Sequence, residues 1–323
     1  MPYVPIIDIS GDRDAVGAEL DEVCRTVGFF QITGHGIDDG VAMRAWTAAT
    51  RFFDLPLADK LSVTRPAADY PYGYIPVAGE SLSQSMAGSA RPDQIALPDL
   101  KEVFNIGPVT APVHELTDPD EASVYSPNLW PEALPELREA WTAYYAAMRN
   151  LGSRLMSLFA RGLGLPPGFF DGKIDQHPDA LRAINYPERH DVPLPGQLRA
   201  GAHTDYGTLT ILRQDAVGGL EVLDRSGNWA GVESVSGAFV INIGDLMARW
   251  TNDRWHSILH RVVDPPGQAA RARRQSMPYF QNANWSAVIA CLPTCLAAGE
   301  APKYEPVLAG PHLMGKFRKS VKL

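Results

Sequence analysis

Short apolar segments separated by turn residues fill the second half of this chain, and this alternation most constrains its fold. Each segment has the length of a β-strand, and Gly, Pro, Asn or Asp residues stand between neighbouring segments. Several short strands at such spacing predict an antiparallel sandwich or barrel. The segments are Leu181–Ile184, Thr208–Leu212, Leu220–Leu223, Ala238–Ile243, Ser257–Val263 and Ser276–Phe280.

The first half of the chain is dominated by helical periodicity. Apolar residues recur at three- and four-residue steps from about Asp12 to Val27 and, over the longest stretch, from Pro131 to Leu163; a further helix is predicted at about Asp38 to Phe53. Two short strands are predicted at Val4–Asp8 and Phe29–Ile32. Together the two halves predict an α+β protein with a mainly β core, in which an N-terminal helical layer packs against a double-sheet jelly roll.

Charge and hydropathy exclude some partners. The net charge of −8 argues against nucleic acid, because phosphate binding requires a basic face. We expect the basic cluster Lys316–Lys319 with Lys322 to be a solvated tail. No stretch approaches the length of a membrane span, and the N-terminal residues lack the charge pattern of a signal peptide. Three cysteines form no even disulfide framework, so we expect reduced thiols in a cytoplasmic protein.

A histidine and an aspartate two positions apart indicate a metal site. Side chains i and i+2 of a strand share a face, so His203 and Asp205 can bind one ion from one side. His260, in a later strand-like segment, would complete two histidines and one carboxylate, an arrangement that leaves open positions on ferrous iron. His256 shares the predicted strand face of His260 and stays an alternative ligand. Zinc accepts the same ligands, so the ligand types alone do not identify the metal.

An anion-binding pair follows the metal motif. Arg274 and Ser276 repeat the i, i+2 spacing, and a guanidinium beside a hydroxyl suits one small carboxylate. Tyr186, at a strand end, could add a phenolic donor or simply lie at the barrel rim. Iron with open positions beside this pair favours an α-keto acid as co-substrate over zinc chemistry. The alternative is that Arg274 is solvated and Ser276–Pro278 is an edge strand, because proline cannot donate to a ladder.

Two segments are candidate lids. The stretch from Tyr70 to Pro112 is rich in Pro, Gly, Ser and Tyr, and a loop of such length is expected to cover something. The C-terminal segment after Pro302 is the second candidate.

The chain resembles the isopenicillin N synthase-like group of non-haem Fe(II), 2-oxoglutarate-dependent dioxygenases. The resemblance runs nearly from end to end, and it favours His260 over His256 as the ligand. The matching segments are Val4–Asp8, Gly28–Ile32, His35–Ile37, Phe52–Pro56, Lys60, Gly73–Tyr74, Asp99–Glu102, His203-x-Asp205, Asn252–Arg254, Ser257, His260 and Arg274-x-Ser276.

The resemblance implies a double-stranded β-helix, or distorted jelly roll, that uses Fe(II), 2-oxoglutarate and O2 and releases succinate and CO2. It implies oxidation of a C–H bond in a small molecule by hydroxylation, desaturation or cyclisation. His203, Asp205 and His260 would be metal ligands, with no further catalytic residues. Arg274, Ser276 and Tyr186 would bind the co-substrate, and Phe104 and Phe280 would line the substrate pocket.

The resemblance also suggests one catalytic domain, 1–323, in three regions. Residues 1–175 form a mainly helical region, 176–285 the jelly-roll core with the iron site, and 286–323 a C-terminal segment. Ile184 stands where many plant members have a polar asparagine. Asn185 is one step away and should face the other side of its strand.

Three other functions are compatible with these residues. A 2-oxoglutarate-independent iron oxidase of the isopenicillin N synthase or ethylene-forming type could aim Arg-x-Ser at another anion. However, Arg318–Leu323 lacks the glutamine that closes the isopenicillin N synthase site, which favours 2-oxoglutarate dependence. A zinc hydrolase and a non-catalytic binding protein are the remaining alternatives.

Overall fold

A computed structural model describes residues 2–67, 70–83, 97–190, 193–297 and 299–320. The strands are β1 Ile6–Asp8, β2 Phe29–Thr33, β3 Gly73–Ile75, β4 Glu102–Ile106, β5 Ala180–Tyr186, β6 Ala200–His203, β7 Leu209–Gln214, β8 Leu220–Leu223, β9 Trp229–Gly231, β10 Phe239–Ile243, β11 His260–Val262, β12 Arg274–Gln281, β13 Val288–Ile289 and β14 Val307–Leu308. The α-helices are α1 Arg13–Thr26, α2 Asp39–Phe53, α3 Leu57–Leu61, α4 Pro119–Val124, α5 Glu136–Gly162, α6 Asp171–Ile174, α7 Asp245–Trp250 and α8 Ala309–Ser320.

The strands form two principal sheets. The major sheet has the order β1-β2-β10-β7-β12-β5-β4-β3, and the minor sheet has the order β6-β11-β8-β9. Only the β1–β2 pair is parallel among the described strands of these two sheets. Strands β1 to β4 come from the N-terminal region, so that region extends both edges of the major sheet in addition to supplying helices.

Helices α1, α2 and α5 cover one face of the major sheet. Helix α1 begins where the Asp12 side chain accepts hydrogen bonds from two backbone N–H groups of the first turn, which satisfies donors that a helix start leaves unpaired. Helix α5 buries an apolar stripe that includes Trp141, Leu155 and Phe159, each fully buried. Burial of each such side chain contributes roughly 2 kcal/mol to stability. The helical periodicity of the sequence therefore located this layer correctly.

A smaller apolar core lies between the major and minor sheets. Phe29 and Val240 of the major sheet pack there with Val222 and Val262 of the minor sheet. This inter-sheet space holds the functional residues described below.

Strand β12 is central, which excludes the edge-strand alternative. It pairs with β5 on one side and β7 on the other. The ladder to β7 includes Pro278, whereas the pairs with β5 omit Met277 and Pro278. A proline is tolerated here because its missing N–H falls where the ladder is interrupted.

For Lys316 and Arg318 the prediction of a solvated tail is wrong, whereas Lys322 and the side chain of Lys319 lie outside the described part of the chain. Residues 309–320 form helix α8, and Met314 of this helix packs in a small apolar cluster with Val124 and Trp285. Lys316 and Arg318 pair with acidic side chains of other elements. Met314 therefore packs α8 against its neighbours, and Lys316 and Arg318 hold it by ion pairs.

One further strand is shorter than the sequence predicted. The predicted strand Ser257–Val263 is regular only over β11, so His256 lies before the strand and not on it. The segment from Tyr70 to Pro112, predicted as a loop with brief strands, contains the short strands β3 and β4, as predicted, and its residues 84–96 lie outside the described part. Among the helices described, none combines the length and apolar character needed to cross a bilayer.

Candidate metal centre

His203, Asp205 and His260 converge at the ends of neighbouring strands. His203 closes β6 and His260 opens β11, and the two residues are directly paired across the antiparallel ladder. Nε2 of His203 lies 3.8 Å from Oδ1 of Asp205, and Nε2 of His260 lies 3.7 Å from the same oxygen. One ligand atom from each residue lies within 4.8 Å of the others, close enough to bind a single ion.

Backbone carbonyls fix both imidazoles in the orientation that a metal requires. Nδ1 of His203 donates to the carbonyl of Gly201 at 2.7 Å, and Nδ1 of His260 donates to the carbonyl of Ile258 at 3.1 Å. With the proton held on Nδ1, the lone pair is on Nε2, which is the atom that faces Asp205. The ring of Phe29 meets the edge of His260 at a centroid distance of 5.2 Å and restricts its rotation.

The Asp205 carboxylate is oriented by two buried side chains. Its Oδ2 accepts hydrogen bonds from Thr210 Oγ1 at 2.5 Å and Asn242 Nδ2 at 2.7 Å, which leaves Oδ1 directed at the histidines. The sequence reasoning missed Thr210 and Asn242. Each is a polar residue within an otherwise apolar stretch, Thr210 on β7 and Asn242 on β10. This pattern marks a buried polar side chain but does not indicate which group the side chain contacts.

Burial and mutual charge set the protonation of these groups. Burial and, to a smaller extent, the neighbouring His260 together lower the pKa of His203 to about 3. Burial of the Asp205 carboxyl acts to raise its pKa, but His260, His203 and the two hydrogen bonds outweigh this and the pKa is lowered. At neutral pH, His203 is therefore neutral and Asp205 ionised, which are the forms that bind a cation.

Arg274 is buried in the same inter-sheet space and has only neutral partners among the described residues. Its guanidinium donates to Gly218 O and Gln214 Oε1, both at 2.9 Å, and to Ser276 Oγ at 3.3 Å. The guanidinium also stacks on the ring of Tyr186 at 4.9 Å. A buried cation without an anion is unfavourable, so this group is suited to an incoming carboxylate.

A cavity of about 540 Å³ connects the triad to Arg274. Ser276, Tyr186 and Ile184 line it, and so do Leu313, Met314 and Phe317 of helix α8. Asn185 faces the opposite side of β5, as expected, and its amide donates to Glu102 at 2.7 Å. The C-terminal helix therefore forms part of the cavity wall.

The two predicted pocket aromatics lie on opposite faces of the major sheet. Phe280 lines the cavity. Phe104 does not, and its predicted pocket position is corrected: its ring packs against Phe52 at 4.4 Å and Trp141 at 5.3 Å in the helical core. Strand alternation explains the difference, because the neighbouring Asn105 faces the cavity. His256 lies outside the triad, as the resemblance indicated.

The chain matches known protein families over most of its length. Residues 4–133 match the family described as non-haem dioxygenase in morphine synthesis N-terminal, and residues 178–283 match the 2OG-Fe(II) oxygenase superfamily. It is 36% identical to the 2-oxoglutarate-Fe(II) type oxidoreductase hxnY of Emericella nidulans, over 98% of this chain and 90% of that protein. It is 35% identical to validamycin A dioxygenase of Streptomyces hygroscopicus subsp. limoneus, over 92% of this chain and 81% of that protein.

Solved structures give the same assignment. A full-length Neurospora crassa protein, crystallised in complex with alpha-KG and thymine, superposes with a TM-score of 0.84 and 31% identity, covering 99% of this chain and 97% of that chain. The predicted jelly roll is thereby confirmed, as is the dependence on Fe(II), 2-oxoglutarate and O2. The chain belongs to the 2-oxoglutarate–Fe(II) oxygenase superfamily and is a non-haem iron dioxygenase of the isopenicillin N synthase-like group.

Proposed function

We propose that His203, Asp205 and His260 bind the Fe(II), and that Arg274 and Ser276 hold the far carboxylate of 2-oxoglutarate. The observation that carries this proposal is the shared cavity, in which three ligand atoms lie within 4.8 Å of one another near a buried guanidinium that lacks a carboxylate partner among the described residues. The donor set fits iron, since two imidazoles and one carboxylate on one side leave positions for a chelating keto acid and O2.

The protein positions these groups and shields them. Iron with 2-oxoglutarate and O2 supplies the oxidising chemistry and yields succinate and CO2. Tyr186 stacks on the Arg274 guanidinium and limits its rotation, which pre-organises the clamp. The apolar residues of α8 and Ile184 keep bulk water from the cavity. In a site open to water, 2-oxoglutarate would be consumed without oxidation of the substrate.

The substrate in this proposal is a small molecule that presents a C–H bond to the metal. Hydroxylation, desaturation and cyclisation are all compatible with such a site. The Neurospora crassa relative is solved in complex with thymine, and a second relative is named for validamycin A, so relatives of this chain differ in the small molecule that they accommodate. A cavity of about 540 Å³ has the size typical of a small-molecule site. We propose no nucleic-acid or membrane partner.

We further propose that residues 1–323 act as one catalytic domain, with regions 1–175, 176–285 and 286–323. The major sheet supports this proposal because it combines strands of the first two regions, and α8 of the third region lines the cavity. A cytoplasmic location is proposed from cysteine usage, since Cys24, Cys291 and Cys295 are all unpaired.

The test replaces His203 or Asp205 by alanine and measures bound iron and 2-oxoglutarate turnover. We expect both to fall to background. His256→Ala is the matched control, because it removes a nearby histidine outside the triad and should leave both measurements unchanged. Iron binding and turnover that survive in either triad variant would refute the ligand assignment. An anaerobic titration with 2-oxoglutarate should also produce a visible charge-transfer band.

A further inference from the structure

Three arginines line the cavity, Arg65, Arg182 and Arg274, and they differ in their partners. Arg274 has neutral partners among the described residues, as expected for the group that receives the co-substrate. Arg182, by contrast, donates through both terminal nitrogens to Glu80, at 3.1 and 3.3 Å. Arg182 and Glu80 both line the cavity, so this pair is part of its wall.

Arg182 lies too far from Arg274 to bind the same small anion. Tyr186 is the direct ladder partner of Arg274, and Arg182 lies four residues earlier on the same face of β5. Four residues of strand span roughly 13 Å, with Ile184 between the two positions. A co-substrate held at Arg274 therefore leaves the Arg182 end of the cavity to the substrate.

The Arg182 end contains compensated charges. Burial of Glu80 acts to raise the pKa of its carboxyl, but Arg182 and Lys101 outweigh this effect and the pKa is lowered. Lys101 itself lies 2.5 Å from Asp99 and 3.7 Å from Glu80. Arg182 and Lys101 thus each have a carboxylate partner, and Arg65, which also lines the cavity, contributes to the lowered pKa of Glu80. A second free anion would have to compete with Glu80 and Asp99.

Asn105 adds an unsatisfied amide beside this pair. It is the ladder partner of Arg182 on β4, it lines the cavity, and it is only 4% exposed. Its Oδ1 is buried with no hydrogen-bond partner among the described residues. Buried polar atoms are normally paired, and a partnerless one in a cavity wall indicates a hydrogen-bond donor supplied by a ligand or by water.

We propose that Asn105 and the Arg182–Glu80 pair form a substrate subsite for a neutral carboxamide-type group. An amide N–H would donate to Asn105, and the amide carbonyl would accept from an Arg182 N–H that Glu80 does not use. An amide carries the required donor and acceptor side by side in one group. The rest of the substrate would extend past Ile184 and Phe280 toward the triad.

This subsite rests on the proposed function, since it takes the Arg274 end as the co-substrate position. The test compares two probes with the same ring and different heads, cyclohexanecarboxamide and cyclohexanecarboxylate. Their binding is measured by anaerobic calorimetry on the protein loaded with Fe(II) and 2-oxoglutarate, and again on the metal-free protein. The variants are Glu80→Gln and Asn105→Leu. Glu221→Gln is the matched control, because Glu221 pairs with Arg261 at 2.7 Å outside the cavity.

The wild type should bind the carboxamide at least about tenfold more tightly than the carboxylate, and Asn105→Leu should remove about tenfold of that affinity. Glu80→Gln leaves Arg182 without its counter-charge and should shift the preference toward the carboxylate by about tenfold. Glu221→Gln should bind both probes as the wild type does. Failure of the wild type to bind the carboxamide, a carboxylate preference, or an unchanged ratio in Glu80→Gln overturns the proposal.

The two proposals fail in different ways. If the subsite is wrong and the proposed function is right, iron and 2-oxoglutarate bind normally while the probes are not distinguished. If only the assignment of the metal ligands is wrong, the triad variants keep their iron. The metal-free protein then still binds the carboxamide more tightly than the carboxylate. Thermal unfolding of Glu80→Gln and Asn105→Leu, with and without 2-oxoglutarate, verifies that each variant is folded.

Discussion

Nζ of Lys316 lies 2.7 Å from Oδ2 of Asp245, and this ion pair joins the C-terminal helix α8 to the start of helix α7. The Asp245 carboxylate also accepts from Ser257 Oγ at 2.7 Å and from Thr204 Oγ1 at 3.3 Å. Its backbone N–H donates to the carbonyl of Asp205 at 2.8 Å. One residue at the start of α7 therefore connects helix α8, the segment before β11 and the loop after β6 that carries Asp205.

Lys316→Met should loosen helix α8 without changing the metal ligands. Loss of a partly buried ion pair costs about 1 kcal/mol, which corresponds to about a fivefold increase in local opening. Leu313, Met314 and Phe317 would leave the cavity wall more often. We expect faster hydrogen exchange across 309–320 and more 2-oxoglutarate consumed without substrate oxidation.

Lys303→Met is the control for this prediction. Lys303 pairs with Asp253 at 3.3 Å, and both side chains are substantially exposed. Its removal should leave hydrogen exchange of α8 and 2-oxoglutarate consumption at wild-type values. If the two lysine variants behave alike, the pair between Lys316 and Asp245 does not hold the helix.

Arg274→Lys should raise the 2-oxoglutarate requirement while iron binding stays intact. Lysine keeps the charge but loses the planar fork that donates to Gly218 and Gln214 and stacks on Tyr186. A loss of at least about 2 kcal/mol, or roughly thirtyfold in KM for 2-oxoglutarate, is expected for a buried charge-assisted contact. Anaerobic titration of the visible band gives the same quantity independently. An unchanged KM would place the clamp elsewhere.

Thr210→Val should weaken iron binding although Thr210 is not itself a proposed ligand. The hydroxyl donates to Oδ2 of Asp205, and valine has the same shape without the donor. Loss of a group that orients a metal ligand typically reduces metal affinity by about 10- to 100-fold.

Thr208→Val is the matched control for Thr210→Val. Its hydroxyl is equally buried but donates to the main-chain carbonyl of Gln281 at 2.8 Å. Metal titrations followed by thermal unfolding should separate the two variants, since the stabilisation by bound iron increases with the logarithm of its affinity. Equal iron affinities in both valine variants would contradict an orienting role for Thr210.

Local patterns in the sequence were sufficient to locate the helical layer, the strands and the ligand motif. Helical periodicity predicted α1, α2 and α5. The predicted strand does not extend to Asp205, because β6 ends at His203, yet Asp205 Oδ1 lies 3.8 Å from His203 Nε2. These signals are local, because they depend on which side chains share a face of one element.

Contacts between distant elements could not be predicted in this way. The position of Phe104 depends on which face of β4 meets the helices, and residues 102–106 are buried on both faces, so apolar character does not distinguish them. Helix α8 was missed because its basic residues suggest solvent, whereas their partners Asp245 and Asp120 lie far away in sequence. The unsatisfied oxygen of Asn105 is likewise visible only once β4 and β5 are paired.

The buried carboxylate of Glu102 joins three elements. It lies 2.9 Å from Lys60 Nζ of α3, 2.6 Å from Tyr74 Oη of β3 and 2.7 Å from Asn185 Nδ2 of β5. Glu102→Gln keeps the size but leaves the buried ammonium without its counter-charge, so the free energy of unfolding should fall by about 3 kcal/mol. Denaturant unfolding measures this change.

Two further variants distinguish charge from shape at this site. Glu136→Gln removes an exposed partner of Arg51 and should change stability by less than about 0.5 kcal/mol. The double variant Lys60→Met with Glu102→Leu removes both charges and should recover most of the loss, because an apolar pair of similar volume needs no counter-charge. If the double variant is as unstable as Glu102→Gln, the hydrogen bonds from Tyr74 and Asn185 outweigh the ion pair in holding β3, β4 and β5 together.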